Sequence, residues 1–153
     1  MSTWMEGLLS DVASLKEEKR NKMAMAERVR AKTGTLYQLL IRQVQADVED
    51  YKTATNDTSI DCRFVAGVGL RVIRDTVFPR FLLTLTPEDG AIGVETRFQR
   101  NTFENCNVVT SSIEIVAGTG PAEFFYIVNG KRRAEVAEVS GDLLDVPLRS
   151  IHQ

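Results

Sequence analysis

The sequence predicts an α+β protein in which a long N-terminal helix precedes an antiparallel β-meander of about six strands. The first observation is a change of period. About fifty residues carry apolar side chains at helical spacing, and from about Thr58 onward the apolar residues alternate as they do in strands. The second observation is that short turn signals, with no helical pattern between them, separate the strand-like stretches.

Length and composition are typical of one globular domain. The chain has 153 residues, of which 43% are hydrophobic and 26% are charged, and a chain of this size buries a single core. We expect residues 1–58 to be the helical segment, with its second half packing on the sheet. Residues 59–153 should form the antiparallel sheet and an apolar C-terminal tail.

Charge and hydropathy indicate where the protein resides. The formal net charge of −2 creates no overall field that would attract a polyanion. The first fifteen residues carry Glu6 and Asp11 without the basic cluster of a signal peptide, and no apolar run approaches the ~18 residues of a membrane span. We therefore expect a soluble, cytoplasmic protein without a membrane partner, whose Cys62 and Cys106 stay reduced.

The helical segment has a heptad-like apolar pattern. Residues three and four apart can be followed from Met5 to Leu40, as in the contact stripe of a packed helix. Gly34 costs a helix interior about 1 kcal/mol relative to alanine, so the segment is either one long helix, bent there, or two helices broken there. A continuous helix of ~50 residues would extend roughly 75 Å, which is longer than a sheet of ordinary strands covers.

The first part of this pattern predicts a partner-binding surface formed by Met5, Leu8, Val12 and Leu15. A monomer rarely exposes such a stripe. It therefore predicts a homo-oligomer, with a two-fold dimer favoured because that is the commonest closed assembly. A different protein partner held by the same helix is the other possibility.

Residues 16–32 form a locally basic stretch, with seven basic and three acidic side chains. We expect this part of the helix to project into solvent. A nucleic-acid binder using this basic helix is one alternative function. The negative total charge and the interspersed glutamates argue against it.

The strand half begins with an alternation from Ile60 to Ile73, which predicts one unusually long strand with a bend at Gly67 and Gly69. The turn signals Pro87-Glu88-Asp89-Gly90 and Asn129-Gly130 predict hairpins. The remaining predicted strands are Val77–Thr86, Ala91–Arg100, Val108–Ala117, Ala122–Val128 and Lys131–Val139. The tail from Gly141 to Gln153 is apolar enough to pack on the sheet or on a neighbouring subunit.

No residue pattern predicts a catalytic, cofactor-binding or metal-binding site. The only histidine is His152, next to the C-terminal residue, and the two cysteines are isolated from each other. Neither Gly67-Val68-Gly69 nor Gly118-Thr119-Gly120 leads into a helix, as a phosphate-binding loop does. Strand carboxylates are the one remaining source of acid–base chemistry, and alternating charges are expected on a solvated sheet face.

The leading functional hypothesis is therefore a non-catalytic interaction or scaffold protein that self-associates or holds a partner through its N-terminal helix. The alternative from a different class is a small-ligand-binding module or enzyme with a pocket between the helix and the curved sheet. The candidate residues of that pocket are Phe64, Gly67, Gly69, Phe81 and Phe98.

Overall fold

The computed structural model describes residues 2–153, which form two helices and one seven-stranded sheet. The predicted α+β class is confirmed. The elements are α1 Thr3–Thr55, β1 Asp61–Val65, β2 Gly69–Arg74, β3 Arg80–Glu88, β4 Ala91–Gln99, β5 Asn107–Ala117, β6 Phe124–Val128, β7 Lys131–Arg133 and α2 Val136–Ser150.

The sheet is a meander in which each strand pairs antiparallel with the next, in the order β1 to β7. Both helices contribute to the core on one side of it, which we call the covered face. Residues such as Leu70, Leu83 and Ile113 point to this face and are almost fully buried. The opposite, open face carries the alternate residues of each strand.

Helix α1 runs unbroken through Gly34 for 53 residues, so the alternative of two helices is wrong. Gly34 is exposed, and nothing lies within 4 Å of the position its Cβ would occupy. The buried residues of α1 lie in its second half: Thr33, Tyr37, Leu40, Ile41, Val44 and Val48. The apolar members of this set and the covered face of the sheet form one hydrophobic core.

The stretch Ile60 to Ile73 is a hairpin, and the single long strand predicted there is wrong. Gly67, with φ of +78°, turns the chain between β1 and β2. Phe64 and Leu70 are register partners, and because their spacing is even, the period of two continues through the turn. The sheet therefore has seven strands where about six were expected.

Gly69 lies where α1 meets the sheet. The hydroxyl of Tyr37 donates a hydrogen bond to the carbonyl of Leu85 (2.9 Å) and accepts one from the amide of Leu70 (3.3 Å). A Cβ at Gly69 would collide with the Leu85 carbonyl and the Tyr37 hydroxyl, and its φ of +133° also favours glycine. Gly69 thus permits a close approach between strands and helix.

The predicted strand Lys131–Val139 ends at Arg133, and the chain then forms α2. Glu135 and Glu138 make a reciprocal capping box at the start of this helix. The apolar tail is therefore helical up to Ser150. It packs on α1, where the hydroxyl of Ser140 donates to Asp47 (2.6 Å).

Replacing Val44 with aspartate should unfold the domain. Val44 is 0% exposed, and burying an unpaired charge costs several kcal/mol of a total stability of roughly 5–15 kcal/mol. Gln45→Asp is the matched control, because Gln45 is exposed on the same turn. In circular dichroism melts the control should resemble the parent. A Val44→Asp variant that also melts like the parent would contradict the role of this half of α1 in the core.

Candidate functional site

The N-terminal half of α1 extends beyond the sheet. Contacts with the sheet begin at Arg28, whose guanidinium donates to the Gly120 carbonyl (2.8 Å), and at Arg30, which pairs with Asp89 (3.5 Å). Every residue of α1 before Arg28 is exposed, apart from the half-buried Met5. We call residues 3–27 the projecting segment, and at 1.5 Å per residue they span about 37 Å.

The projecting segment carries the predicted partner-binding residues on its surface. Leu8 is 48% exposed, Val12 38% and Leu15 63%. We call Met5, Leu8, Val12 and Leu15 the projecting stripe. Further large apolar side chains surround it or follow it along the segment: Trp4, Leu9, Met23 and Met25. A surface this apolar is typical of an interaction site.

The projecting stripe lies on the side of α1 that faces the sheet. Each of its residues is repeated 36 positions later by a residue of the covered part of the helix, and 36 residues make ten turns of an α-helix. The pairs are Met5 and Ile41, Leu8 and Val44, Val12 and Val48, and Leu15 and Tyr51. The second member of each pair is buried in the core or packs against it. The apolar residues on this side of α1 therefore form two groups, separated by Lys19 and Lys22, and the sheet covers only the second group.

The basic stretch 16–32 divides into two parts. Its N-terminal part is exposed, and there Arg20 pairs with Glu17 (3.6 Å). Its C-terminal part holds the helix on the sheet, because Arg28 also lies over the ring of Phe124, 5.6 Å from its centroid, in a cation–π contact. Arg28 and Arg30 are therefore structural as well as basic.

The structure brings two of the five predicted pocket residues together, Phe81 and Phe98, and places the other three at the β1–β2 edge of the sheet. Phe64 is 61% exposed on the edge strand β1, and Gly67 and Gly69 belong to the β1–β2 turn region. Phe81 and Phe98 are register partners on the covered face, where Phe81 is 3% exposed in the core.

A different cleft lies between α2 and the covered face at β4 and β5, with a volume of about 350 Å³. Phe98 is the one predicted pocket residue that lines it. The other apolar lining residues are Val94, Val109, Leu143, Val146 and Pro147, and the polar ones include Thr96, Ser111, Asn129, Asp142 and Ser150. The sequence pattern missed this α2 cleft because α2 was expected to be part strand and part irregular tail.

The histidine lies in a hydrogen-bonded cluster at the C-terminal end of α1. The Tyr51 hydroxyl is 2.6 Å from His152 Nε2, while the Ser59 hydroxyl donates to Asp57. Burial raises the pKa of Asp57, but the hydrogen bonds from Ser59 and the nearby charges of Arg74 and His152 together outweigh burial and hold that pKa below its usual value. Because Ser59 donates to a carboxylate, the cluster does not contain a serine–histidine nucleophile pair.

Two observations concern metal ligands and thiols in the described part of the chain. Residues 2–153 contain no group of three His, Cys, Asp or Glu side chains placed to hold a metal ion. Burial raises the pKa of the Cys62 thiol to about 11, so it stays protonated and unreactive at neutral pH.

Comparison with known proteins gives no relative: no family model, curated protein or solved structure matches the chain. No helix within residues 2–153 has the length and apolar character needed to cross a membrane.

Proposed function

We propose that this is a non-catalytic interaction protein that forms a two-fold dimer through its projecting segment. The observation that carries this proposal is the apolar side of α1, which the sheet covers only from Arg28 onward. A second copy of the chain supplies an equal and self-complementary stripe, as two-fold interfaces require.

The apolar surface is large enough for association. Six side chains of each copy contribute to it: Trp4, Met5, Leu8, Leu9, Val12 and Leu15. If each gains about half of the 1.5–3 kcal/mol of full burial, two copies gain roughly 9–18 kcal/mol. Association costs about 4–15 kcal/mol, so the gain is of the size that association requires.

The position of the sheet favours an antiparallel dimer. A partner helix on the projecting stripe approaches from the side on which the sheet of the first copy also lies. If the two helices ran parallel, both sheets would compete for the space between them. In an antiparallel pair each sheet lies beyond the tip of the other helix, and the two projecting segments pack side by side.

The charges of the helix favour the same orientation. Lys19 and Lys22 lie on the same side of α1 as the projecting stripe. A parallel, in-register pair would place each of them against the same lysine of the partner subunit, and such like charges repel. An antiparallel pair places residues 16–23, with four basic and two acidic side chains, beside residues 4–11 of the other copy, which carry two acidic side chains and none that is basic.

One antiparallel register uses most of the projecting segment. It pairs Val12 with Leu15 of the partner subunit at the centre, then Leu8 with the partner's Lys19 and Met5 with the partner's Lys22. The lysine stems cover apolar surface while their ammonium groups reach solvent. The same register places Trp4 at the level of the partner's Met23, so exposed apolar side chains outside the stripe are also covered.

Such a dimer would act as a scaffold. Its two sheet domains would lie at opposite ends of a rigid helical pair, with the two Arg28 positions about 45 Å apart along the axis. The alternative to a second copy is a different protein that binds the projecting segment. The nucleic-acid alternative stays a prediction for Lys16, Lys19 and Lys22, because Arg28 and Arg30 already have partners in the sheet domain.

A second candidate function is the binding of a small apolar molecule in the α2 cleft. Its volume of about 350 Å³ falls within the range of ligand pockets, and its mixture of apolar walls with a few polar groups is typical of them. This candidate and the dimer use different parts of the chain, so both functions are compatible.

Replacing Leu8 and Leu15 together with glutamine should convert the dimer into a monomer. Both side chains lie in the proposed interface and outside the core, so circular dichroism should show the parent's melting of the sheet domain. Size-exclusion chromatography with light scattering should give the 17.1 kDa chain mass for the variant and twice that mass for the parent. The matched control is Ser10→Gln with Ala24→Gln on the opposite side of α1, and it should remain dimeric. A monomeric parent at high micromolar concentration would contradict the dimer.

Nitroxide labels should distinguish the two orientations. With Cys62 and Cys106 replaced by alanine, one label is placed on Thr3→Cys and, in a second protein, on Ser14→Cys. In the antiparallel register the two Thr3 positions lie about 30 Å apart, while the two Ser14 positions lie near the axis, about 10–15 Å apart. Pulsed electron spin resonance measures both distances. A parallel dimer would give short distances at both positions.

Indole should bind in the α2 cleft of the parent and give saturation-transfer NMR signals. Val109→Trp places an aromatic ring in the cleft and should abolish these signals. Val116→Trp is the matched control, because Val116 lies on the same strand but on the open face. Signals that persist in Val109→Trp would rule out this cleft as the indole site.

A further inference from the structure

The open face of the sheet contains a hollow of about 410 Å³ whose lining is rich in arginine. We call it the arginine hollow. Four arginines at open-face positions of β1, β2, β3 and β4 line it: Arg63, Arg71, Arg80 and Arg97. Arg74 lines it from a covered-face position. One carboxylate, Asp75, also lines it. The hollow uses neither the projecting segment nor the α2 cleft.

Two of these arginines are placed directly opposite each other. Arg63 on β1 and Arg71 on β2 are register partners, and both lie on the open face. Like charges in this relation destabilise an antiparallel pair. The pairing therefore weakens the fold, and an anion between the two guanidinium groups would turn the repulsion into attraction.

Part of the positive charge is balanced within the sheet domain. Arg63 pairs with Asp61 (3.3 Å) and Arg97 pairs with Glu95 (2.6 Å). Arg74 donates to the Ser59 hydroxyl (2.9 Å) and to the Pro79 carbonyl.

Arg71 and Arg80 have no such partner. Within residues 2–153, neither makes an ion pair with a carboxylate. The guanidinium of Arg80 lies over the ring of Phe78, 4.2 Å from its centroid, at the edge of the hollow. The hollow therefore keeps an excess of positive charge.

Arg71 gives the most specific indication of a ligand. Its Nε atom is buried and has no hydrogen-bond acceptor. Buried donors in folded proteins almost always have a partner, and an exception calls for an explanation such as a missing ion. The two terminal nitrogens of a guanidinium group can donate to two oxygens of one phosphate or carboxylate, and the Nε–H signal of the same group reports the change.

We propose that the arginine hollow binds the phosphate group of a small molecule, with Arg71 as the central ligand residue and Arg63 and Arg80 beside it. A phosphate carries more negative charge than a carboxylate and better balances two unpaired arginines. The half-buried Ile73 and Leu82 provide apolar surface for the body of the molecule. A polynucleotide fits less well, because Asp61 and Glu95 lie beside the hollow on the same face.

Arginine Nε–H signals in NMR spectra test this site. Adding inorganic phosphate to the parent at constant ionic strength should shift the Arg71 signal, which is assigned by its loss in Arg71→Lys. Phenyl phosphate should bind more tightly than inorganic phosphate, since its ring contacts the apolar surface, and acetate more weakly than either. An Arg71 signal that phosphate leaves unchanged would overturn the proposal. So would tighter binding of a short oligonucleotide than of phenyl phosphate.

Variants test the role of each arginine. Arg71→Lys keeps the charge but loses the two-pronged donor, so we expect about tenfold weaker phosphate binding. Arg132→Gln is the matched control, because Arg132 lies on the same face at the far edge of the sheet, and its phosphate affinity should equal that of the parent. Equal phosphate affinity in Arg71→Lys and the parent would overturn the assignment.

Thermal melts add a measurement that does not depend on NMR assignment. Phosphate should raise the melting midpoint of the parent, because a ligand that binds only the folded state stabilises it. Arg63→Gln should melt close to the parent without phosphate, since it removes both a like-charge pair and an exposed ion pair with Asp61, and it should lose most of the phosphate-induced rise. A full phosphate-induced rise in Arg63→Gln would contradict its place in the site. These results are independent of the dimer, whose mass is measured separately.

Discussion

The length of α1 relative to its sheet is the constraint on which the rest of the structure depends. One side of the helix is apolar from Met5 to Leu15 and again from Val29 to Tyr51, with Lys19 and Lys22 between these stretches, and the sheet domain reaches only as far as Arg28. Hydrophobic burial therefore stabilises the second half of α1 within the chain, and the first half has the same kind of surface without a cover. An isolated helix gains little stability in water, so the projecting segment depends on its continuity with the docked half and on whatever covers its stripe.

The junction between these halves is held by polar contacts at three places along the helix. Arg28 bonds to the β5–β6 loop, Arg30 pairs with the β3–β4 turn, and Tyr37 bonds to Leu85 and Leu70 beside Gly69. These contacts fix the rotation of α1 about its axis. Because the helix is continuous, the same contacts fix the direction in which the projecting stripe points.

The sequence predicted the elements whose spacing of apolar residues matches the pattern of buried side chains in the structure. The α+β class, the long helix and most hairpins follow from local patterns, and Asn129-Gly130 marks its turn correctly. The hairpin between Phe64 and Leu70 escaped because an even spacing keeps the alternation intact. The residues of the predicted pocket do not all lie together, because the exposure of Phe64 and Phe81 depends on strand register and on which part of the sheet the helices cover. Neither can be read from the sequence of a single strand. The arginine hollow was not predicted for the same reason: Arg63, Arg71 and Arg97 lie on different strands and come together only through the pairing of β1 to β4.

The proposed dimer would fix the positions of the two arginine hollows without changing the phosphate affinity of either one. The open face lies on the side of the sheet away from the helices, so dimerisation through the projecting segment leaves both arginine hollows accessible. With the sheet domains at opposite ends of the helical pair, the hollows are several Debye lengths apart at physiological ionic strength, where that length is about 8 Å. Charge at one hollow is then screened from the other. In the proposed dimer the two sheet domains would be connected only through the paired helices. The two phosphate sites of a dimer should therefore fill independently, and dimerisation contributes two separated copies of one site without changing its affinity.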